Sequence, residues 1–337
     1  MTKTPPFKIT SRILSLSQEI GHQLGILYGA KLYPLSLHLR RDNKIKTIQS
    51  SLSIEGNTLT TEQITAISKG RKIIGRPKDV LEVKNAIKVY EDLQRWDSLS
   101  INSFKDAHKE LMNNLITSNG QWREKGVGIF KGKILAHMAP PASRVPELMD
   151  YLFKFINDDT VPWLIKACVF HYELEFIHPF TDGNGRMGRL WQQLLLTKEN
   201  SIFEFISVES VIKESQQQYY DVLGICDKAG ESTDFITFSL EQIVIALRQY
   251  TTSQSSQVIH PIQRLQYAKE SLKEKWFYRK EYMTLHKDIS SATASRDLML
   301  GILENLLRKR NANSEPPRAY TRGITSASTA EYKLCLP

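Results

Sequence analysis

The sequence predicts a mainly α-helical fold with one short β-hairpin and a separate C-terminal domain of the helix-turn-helix type. Apolar residues recur at three- and four-residue spacing along most of the chain, which is the period of an amphipathic helix. Four glycines between positions 120 and 137 interrupt that pattern, as expected for a hairpin. The seven polar, uncharged residues 251–257 are typical of a linker. We therefore divide the chain into an N-terminal region (1–95), a core (96–250), the linker (251–257) and a C-terminal domain (258–337).

In chain order, the spacing predicts five helices before the hairpin, the last of them capped by Asn102 or Ser103. The hairpin pairs Val127–Ile129 with Ile134–Leu135, and two prolines close it. The predicted helices are 10–30, 42–55, 60–69, 79–95 and 102–115 before the hairpin, and 147–157, 163–176, one that follows Gly183-Asn184-Gly185, 208–227 and 235–252 after it.

The C-terminal domain has its own pattern. A helix over 262–274 and a short amphipathic segment over 278–285 precede a capped helix that runs from Ser290 to about Lys309. A helix followed by a polar turn and a second helix rich in small polar residues is typical of a DNA-reading motif, in which Arg296 would contact DNA. Tyr332 and the residues after it would form a wing strand. The alternative is a helical bundle used for packing or dimerisation.

Composition excludes several classes of protein. The 337 residues are 41% hydrophobic and carry 45 Lys+Arg against 36 Asp+Glu, a net charge of +9, which is typical of a globular protein. No apolar stretch is long enough to span a membrane, and the start MTKTPPFKIT lacks the apolar run of a secretory signal. Three scattered cysteines predict no disulfide framework, so we expect a cytoplasmic protein. Basic residues exceed acidic ones in 1–80 and 261–310 but not between them, which favours an enzyme core with basic ends.

One segment carries chemistry: residues 178–189, HPFTDGNGRMGR. The glycines around Asn184 open an apolar helix whose first N–H groups and positive dipole end form an anion site. Arg186 and Arg189, three residues apart, suit a polyphosphate. Asp182 would hold a divalent cation against phosphate oxygens, and His178 would take a proton from a hydroxyl. The pattern indicates phosphoryl or nucleotidyl transfer.

Other interpretations fit this segment less well. Its GxGxxG spacing follows a helix and a loop rather than a strand, so it is not a dinucleotide-binding turn, and the chain has no GxxxxGK[ST] phosphate loop. His171 and Glu175 are one helical turn apart, a spacing that a metal site could use. Packing or hydrogen bonding inside a helical core is the commoner role of such a pair.

The segment resembles the signature of the Fic family, HPFx[D/E]GN[G/K]RxxR, without a mismatch. The resemblance extends over about 10–250 through Ala107–Met112, the Gly120-Gln-Trp-Arg run, the paired prolines before the next helix and the residues that lead to His178. It implies a Fic-type helical bundle that transfers AMP from ATP, with Mg²⁺, to a Ser, Thr or Tyr hydroxyl of a protein. The C-terminal domain resembles a winged-helix-like extension of bacterial members.

By position, the resemblance makes His178 the base, Asp182 the Mg²⁺ ligand, and Gly183, Asn184 and Gly185 the anion hole. Gly185 also favours the nucleotidyl branch, since the phosphotransferase branch has Lys there. The hairpin around residues 126–133 would clamp the target by strand addition. The remaining implied nucleotide-binding residues are Arg186, Met187, Gly188, Arg189, Tyr219 and Tyr220, and the implied hairpin contacts are Val127, Gly128 and Ile129.

A second motif, Ser51 to Gly56, predicts a brake. The helix over about 42–56 would end at Gly56 with Glu55 in its last turn, where the helix dipole disfavours an anion slightly. Read alone, Glu55 is an ordinary exposed residue. The segment resembles the Fic inhibitory motif [S/T]xxxE[G/N], which implies that Glu55 pairs with Arg189 in place of the γ-phosphate.

Three functions follow as hypotheses: an autoinhibited protein adenylyltransferase, a de-AMPylase that uses the same site with Glu55 as the key residue, and a nucleotide-sensing regulator that binds DNA. Self-modification and a homodimer that stabilises the inhibitory helix are further expectations. The sequence does not name the target protein.

Overall fold

The computed structural model describes residues 4–29, 37–131, 134–256, 261–272, 276–286, 289–311 and 330–334. The chain divides into two compact units, one up to Gln254 and one from Ser255 onwards. In the described residues, no helix combines the length and the apolar character that crossing a membrane requires.

The first unit is helical apart from one hairpin, as the apolar spacing predicts. Short 3₁₀ turns at Leu93–Arg95, Ala142–Arg144 and Ser201–Phe205 connect the longer elements. The helices are α1 (Ser11–Gly29), α2 (Leu37–Ile54), α3 (Thr61–Ser68), α4 (Pro77–Glu91), α5 (Ile101–Leu111), α6 (Val145–Ile156), α7 (Trp163–Ile177), α8 (Asn184–Glu199), α9 (Val208–Glu214), α10 (Gln216–Ala229) and α11 (Thr233–Ser256), and the strands are β1 (Gly128–Lys131) and β2 (Ile134–Met138).

Local sequence signals account for several helix ends. Thr60 and Gln63 form a reciprocal capping box at the start of α3, and Ser100 caps α5 through the N–H of Ser103. The predicted caps Asn102 and Ser103 are therefore wrong, because the capping residue lies two to three positions earlier. A glycine in the left-handed region, Gly230, ends α10.

Two predicted helix boundaries also differ from the structure. The single helix expected over 208–227 is two helices, which meet at Ser215. Helix α11 continues to Ser256, through most of the residues assigned to the linker. No glycine or proline interrupts that stretch, and the hydroxyls of Thr251 and Ser253 donate to the helix carbonyls of Leu247 and Tyr250 at 2.9 and 2.7 Å.

Helices α7 and α8 form the centre of the core. Both are buried on nearly all sides; α7 is mostly apolar, whereas α8 also buries polar side chains such as Arg186, Arg189 and Gln192 that find partners inside the unit. Gly188 permits their close approach, since a Cβ there would lie 2.7 Å from the His171 ring. An aromatic cluster packs beside them, with the Phe104 ring 4.9 Å from Trp191 and 5.5 Å from Phe180. The loop between α7 and α8 is thereby held by the most rigid part of the unit.

In its described residues the second unit has three helices and a small antiparallel sheet of order β3-β5-β4. A buried ion pair, in which Arg264 donates to Asp297 at 2.5 and 2.7 Å, lies beside its apolar core. Its elements are α12 (Pro261–Leu272), β3 (Phe277–Tyr278), α13 (Arg279–Leu285), α14 (Ser291–Leu303), β4 (Leu307–Asn311) and β5 (Ala330–Leu334).

The prediction that the last helix reaches Lys309 is wrong. Helix α14 ends at Leu303, Asn305 adopts a left-handed conformation (φ 58°), and Lys309 lies in strand β4. The turn brings Leu307 under the helix into the core of the unit. A strand is present over 330–334, so Tyr332 lies in a strand as predicted, while Cys335 lies outside the described residues.

Candidate active site

The loop from α7 to α8 places His178 at the end of one central helix and Gly183 at the start of the other. His178 has φ 49°, a left-handed conformation that is uncommon for a residue with a side chain, and Gly183 has φ 87°. The side chain of Asn184 accepts from the N–H of Phe180 and donates to its carbonyl, both at 2.9 Å. The strained loop is thus braced from within, and the Asn184 amide is used for that purpose.

A buried arginine that the sequence analysis assigned no role, Arg123, holds the loop from outside. Its side chain donates to the carbonyls of His178 at 2.7 Å and Ile177 at 3.2 Å. It also donates to the carbonyl of Pro140, which follows strand β2, at 2.5 Å. One guanidinium therefore ties the histidine loop to the base of the hairpin.

His108 on α5 holds the next part of the loop. Its Nδ1 accepts from the N–H of Gly120 at 2.8 Å, so Nε2 carries the proton and donates to the carbonyl of Asp182 at 2.9 Å. The ring stacks on Phe180 with centroids 3.5 Å apart. Burial, which disfavours the charged form, lowers the pKa of His108 to about 4. This neutral histidine fixes the backbone at Asp182.

A cavity of about 700 Å³ opens at the N-terminus of α8. Its size falls in the range of small-molecule and nucleotide sites. Residues from α7, the loop, α8 and α10 form its wall together with Glu55. The predicted site residues among them are His178, Asp182, Gly183, Asn184, Gly185, Arg189, Tyr219, Tyr220 and Glu55.

Arg189 is buried and is held by the end of α2. Its Nε and Nη2 donate to the hydroxyl and carbonyl of Ser51, both at 3.1 Å, and Nη2 donates to Glu55 at 2.7 Å. Burial alone would lower the pKa of Arg189, but the charge and hydrogen bond of Glu55 together with the nearby Tyr219 and Glu175 outweigh burial and raise it. Among the described residues, the buried Nη1 has no hydrogen-bond partner, so one donor of this guanidinium is available to an anion.

The brake segment differs slightly from its prediction. Helix α2 starts at Leu37 rather than near 42 and ends at Ile54, so Glu55 lies in the turn after the helix. Gly56 has φ 85°, which a glycine adopts without strain. A Cβ on Gly185 would collide with the Glu55 carboxylate. The absence of a side chain at Gly185 thus makes room for Glu55 in the site.

Arg186 does not line the cavity. Its Nη2 donates to Asp182 at 3.0 Å and its Nη1 donates to Glu82 on α4 at 3.3 Å. Asp182 also accepts from the N–H of Gly183 at 2.6 Å, and about half of its side chain is exposed. The two arginines of the motif therefore diverge, one toward Glu82 and one toward Glu55.

Tyr219 and Tyr220 have different positions. Tyr219 is buried, and its hydroxyl donates to Glu175 at 3.1 Å. Burial and the Glu175 charge raise the pKa of Tyr219. Tyr220 is 40% exposed and donates to the carbonyl of Ile54 at 3.3 Å, so its ring is the one presented at the cavity mouth.

Glu175, which carried no assigned role in the sequence analysis, lines the cavity beside these groups. Its own burial would raise its pKa, but the hydrogen bond and charge of His171, with the charges of His178 and Arg189, lower it. His171 is buried and also bonds Gln192 at 2.6 Å and Tyr219 at 3.1 Å. The His171–Glu175 pair belongs to a hydrogen-bonded network of the core. Within the described ranges, no group of three or more His, Cys, Asp or Glu side chains could hold a metal ion.

The other predicted residues have these positions. Met187 is fully buried in the core and Gly188 faces His171, so neither is part of the cavity wall. Val127 precedes β1, whose Gly128 and Ile129 pair with Met138 and His137 of β2. Strand β2 approaches α10, which places the hairpin near the cavity. Arg296 is exposed on α14 in the second unit and is not part of this cavity.

Comparison with known proteins gives concordant results. The Fic/DOC family profile matches residues 98–196. The crystal structure of a Fic family protein from Desulfovibrio desulfuricans G20 is 37% identical, with a TM-score of 0.73 over 98% of both chains. Protein adenylyltransferase Fic of Aedes aegypti is 25% identical over 67% of this chain and 46% of its own length, and that of Culex quinquefasciatus is 24% identical over 79% and 55%. The chain spans about half the length of these curated relatives.

Proposed function

The chain belongs to the Fic/DOC family, and from that membership we propose that it transfers AMP from ATP to a hydroxyl group of a protein. One observation carries the proposal: His178, Asp182, the N-terminus of α8 and Arg189 all line a single cavity of about 700 Å³. A general base, an anion site and a carboxylate next to it are the groups that nucleotidyl transfer requires.

The triphosphate would bind at the N-terminus of α8. The first N–H groups of that helix lack intrahelical partners, and the helix dipole favours an anion there. The buried Nη1 of Arg189 is a further donor that no described side chain satisfies. The half-exposed carboxylate of Asp182 fits Mg²⁺, which usually binds one or two carboxylates together with substrate phosphates. When bound, the ion would neutralise phosphate charge and orient the leaving group.

His178 would accept the proton of the target hydroxyl. Its Nδ1 faces the carbonyl of Glu175 at 3.4 Å, a pairing that keeps the proton on Nδ1 and leaves Nε2 as the acceptor. The hydroxyl oxygen attacks the α-phosphorus, the bond to the β-phosphate oxygen breaks, and diphosphate leaves. The proton moves to Nε2, so the products are the AMP-modified protein and diphosphate.

Glu55 would restrain this reaction. Its bond to Arg189 at 2.7 Å occupies the guanidinium that would otherwise hold the terminal phosphate. The chain would therefore bind ATP in a pose that does not favour transfer. Replacing Glu55 by Gly removes the competing charge and frees the space beside Gly185.

The test is label transfer from α-labelled ATP with Mg²⁺ to the chain itself or to added protein. We expect strong labelling of Glu55→Gly, weak labelling of the unaltered chain and none of His178→Ala. Equal labelling of all three forms would exclude His178 as the base. If ATP binds but no form is labelled, the chain is not a transferase under these conditions.

Removal of AMP is the second candidate for the same site, because Glu55 lines the cavity together with His178 and could align a water molecule. Glu55→Gly protein, labelled by its own activity, serves as the substrate. Loss of the label on addition of the unaltered chain, but not of a second Glu55→Gly sample, would support this activity.

The second unit supports a separate proposal of DNA binding. Two observations on the described residues support it: the antiparallel sheet β3-β5-β4 lies beside the helices α13 and α14, and Arg296 is exposed on α14, the helix that would read DNA. Binding to duplex DNA should weaken steeply with salt and should fall in Arg296→Ala. Salt-insensitive binding, or none, would favour packing or dimerisation instead.

A further inference from the structure

Glu82 on α4 is a buried carboxylate that joins two parts of the site. Its Oε2 accepts from the Asn57 side chain at 2.8 Å, and its Oε1 accepts from Arg186 at 3.3 Å. Only 8% of Glu82 is exposed, and Lys78, the other nearby cation, is 3.9 Å away and largely exposed. Each oxygen of this one carboxylate thus has a different main partner.

The first partner belongs to the turn that carries Glu55. Asn57 lies two residues beyond Glu55, its N–H donates to the carbonyl of Leu52 at 3.1 Å, and its side-chain oxygen accepts from the N–H of Leu59 at 3.1 Å. The amide of Asn57 is therefore fixed at its oxygen end by the turn and at its nitrogen end by two groups of α4, the Glu82 carboxylate at 2.8 Å and the carbonyl of Asp79 at 3.2 Å. The shorter of these two bonds, to a charged acceptor, links Glu82 to the turn.

The second partner, Arg186, reaches the phosphate site through Asp182. Arg186 is buried, and its guanidinium bonds Glu82 on one side and Asp182 on the other. Its Nε is buried without a partner among the described residues. The charge of Arg186 therefore depends on these two carboxylates, of which Asp182 is the proposed metal ligand.

From these contacts we infer that Glu82 is a positioning residue that couples the Glu55 turn to the phosphate-binding side of the site. The inference rests on the proposed function for the meaning of that coupling. A buried carboxylate that loses its cation is left with an uncompensated charge, which destabilises the packing that also holds Asn57. A nucleotide that draws Asp182, and with it Arg186, away from Glu82 would thus loosen the turn that holds the brake.

The coupling is measurable in the full-length, nucleotide-free protein by amide hydrogen exchange of residues 55–59. We expect Arg186→Gln and Glu82→Gln each to raise exchange roughly tenfold, the factor for loss of a charge-assisted hydrogen bond. Adding Arg186→Gln to Glu82→Gln should not raise the exchange of residues 55–59 any further. Lys78→Ala is the matched control, and its exposed pair should leave the turn unchanged.

Two results would overturn the inference: unchanged exchange of residues 55–59 in Arg186→Gln, or a double variant whose effect is the product of the two single effects. Asn57→Ser gives a second route if Glu82→Gln unfolds, since it cuts the link from the turn. In that background Arg186→Gln should again have no further effect on the turn, and a full additional effect would count against the coupling.

Experiments with nucleotide distinguish a failure of this inference from a failure of the proposed function. If ATP with Mg²⁺ does not bind even to Glu55→Gly, the proposed transferase fails, while the coupling measured without nucleotide still stands or falls by its own result. If ATP binds, it should raise exchange of the turn in the unaltered chain more than in Glu82→Gln. An identical response in both forms would contradict the inference.

Discussion

His108 shows how a single buried side chain sets the geometry of the site. It donates to the carbonyl of Asp182 and accepts from the N–H of Gly120, which only the neutral tautomer does at both ends. Arg123 has the same kind of role at His178, through backbone carbonyls rather than side chains. Both residues precede the motif in sequence by more than fifty positions, so no local pattern shows what they hold.

The first prediction concerns pH and His108. The pKa of His108 is about 4 in the folded chain, below its ordinary value of 6.5. The unfolded chain therefore binds the proton more tightly, and a fall in pH favours unfolding. Above pH 6.5, His108 makes its full contribution to the free energy of unfolding. Between pH 6.5 and 4 that contribution disappears, which lowers the free energy of unfolding by about 3 kcal/mol. Denaturant titrations at several pH values measure it as the difference between the unaltered chain and His108→Gln.

The control for this prediction is His22→Gln, because His22 is exposed on α1. Its difference curve should be flat over the same pH range. A flat curve for His108→Gln as well would mean that His108 is not held neutral in the folded protein.

At the scale of elements, the hairpin β1–β2 offers an outer strand edge that a strand of a target protein could join. The N–H of Ala139 donates to the carbonyl of Val127, so these two residues form a hydrogen-bonded pair of the antiparallel ladder. The next pair, Gly128 with Met138, is therefore a non-hydrogen-bonded pair, in which the N–H and carbonyl of Gly128 point away from β2. That outer edge is where an added strand would bond.

The second prediction tests that edge. Proline at an outward-facing position of an edge strand is compatible with the hairpin but removes the donor that a target strand needs. We expect Gly128→Pro, in the Glu55→Gly background, to reduce label transfer at least tenfold while ATP binding is retained. Gly128→Ala keeps the N–H and should transfer normally, and equal transfer by both variants would exclude strand addition at Gly128.

At the scale of the whole molecule, the chain has two hydrophobic cores, one in each unit. The core of the second unit is small and includes the buried pair Arg264–Asp297, to which Tyr282 also donates at 3.1 Å. Removing one partner of such a pair leaves an unpaired buried charge.

The third prediction follows from the separate cores. Arg264→Met should destabilise the second unit by about 3–5 kcal/mol. Hydrogen exchange should rise across residues 261–311 while the helices α7 and α8 remain protected. Arg279→Met, at a more exposed arginine of the same unit, is the control, and loss of protection in α7 and α8 would show that the cores are not separate.

The sequence by itself determined the helical class, the hairpin and the anion-binding segment 178–189, while the candidate brake at Glu55 came from the resemblance to the Fic inhibitory motif. These features depend on residues that are close together in the sequence, such as regularly spaced apolar residues, glycines at the start of a helix and a capping residue. It also indicated the family, since twelve residues at fixed spacing are specific.

Only the tertiary structure decided which groups share the site. Arg186 and Arg189 look equivalent in sequence, yet one bonds Glu82 on α4 and the other bonds Glu55 in the turn after α2. Met187 belongs to the motif but to the core rather than the cavity, and Glu82, His108 and Arg123 enter the site from distant helices and loops. The physical reason is that a buried charge or hydrogen-bond donor requires a partner, and the partner is set by packing rather than by sequence distance.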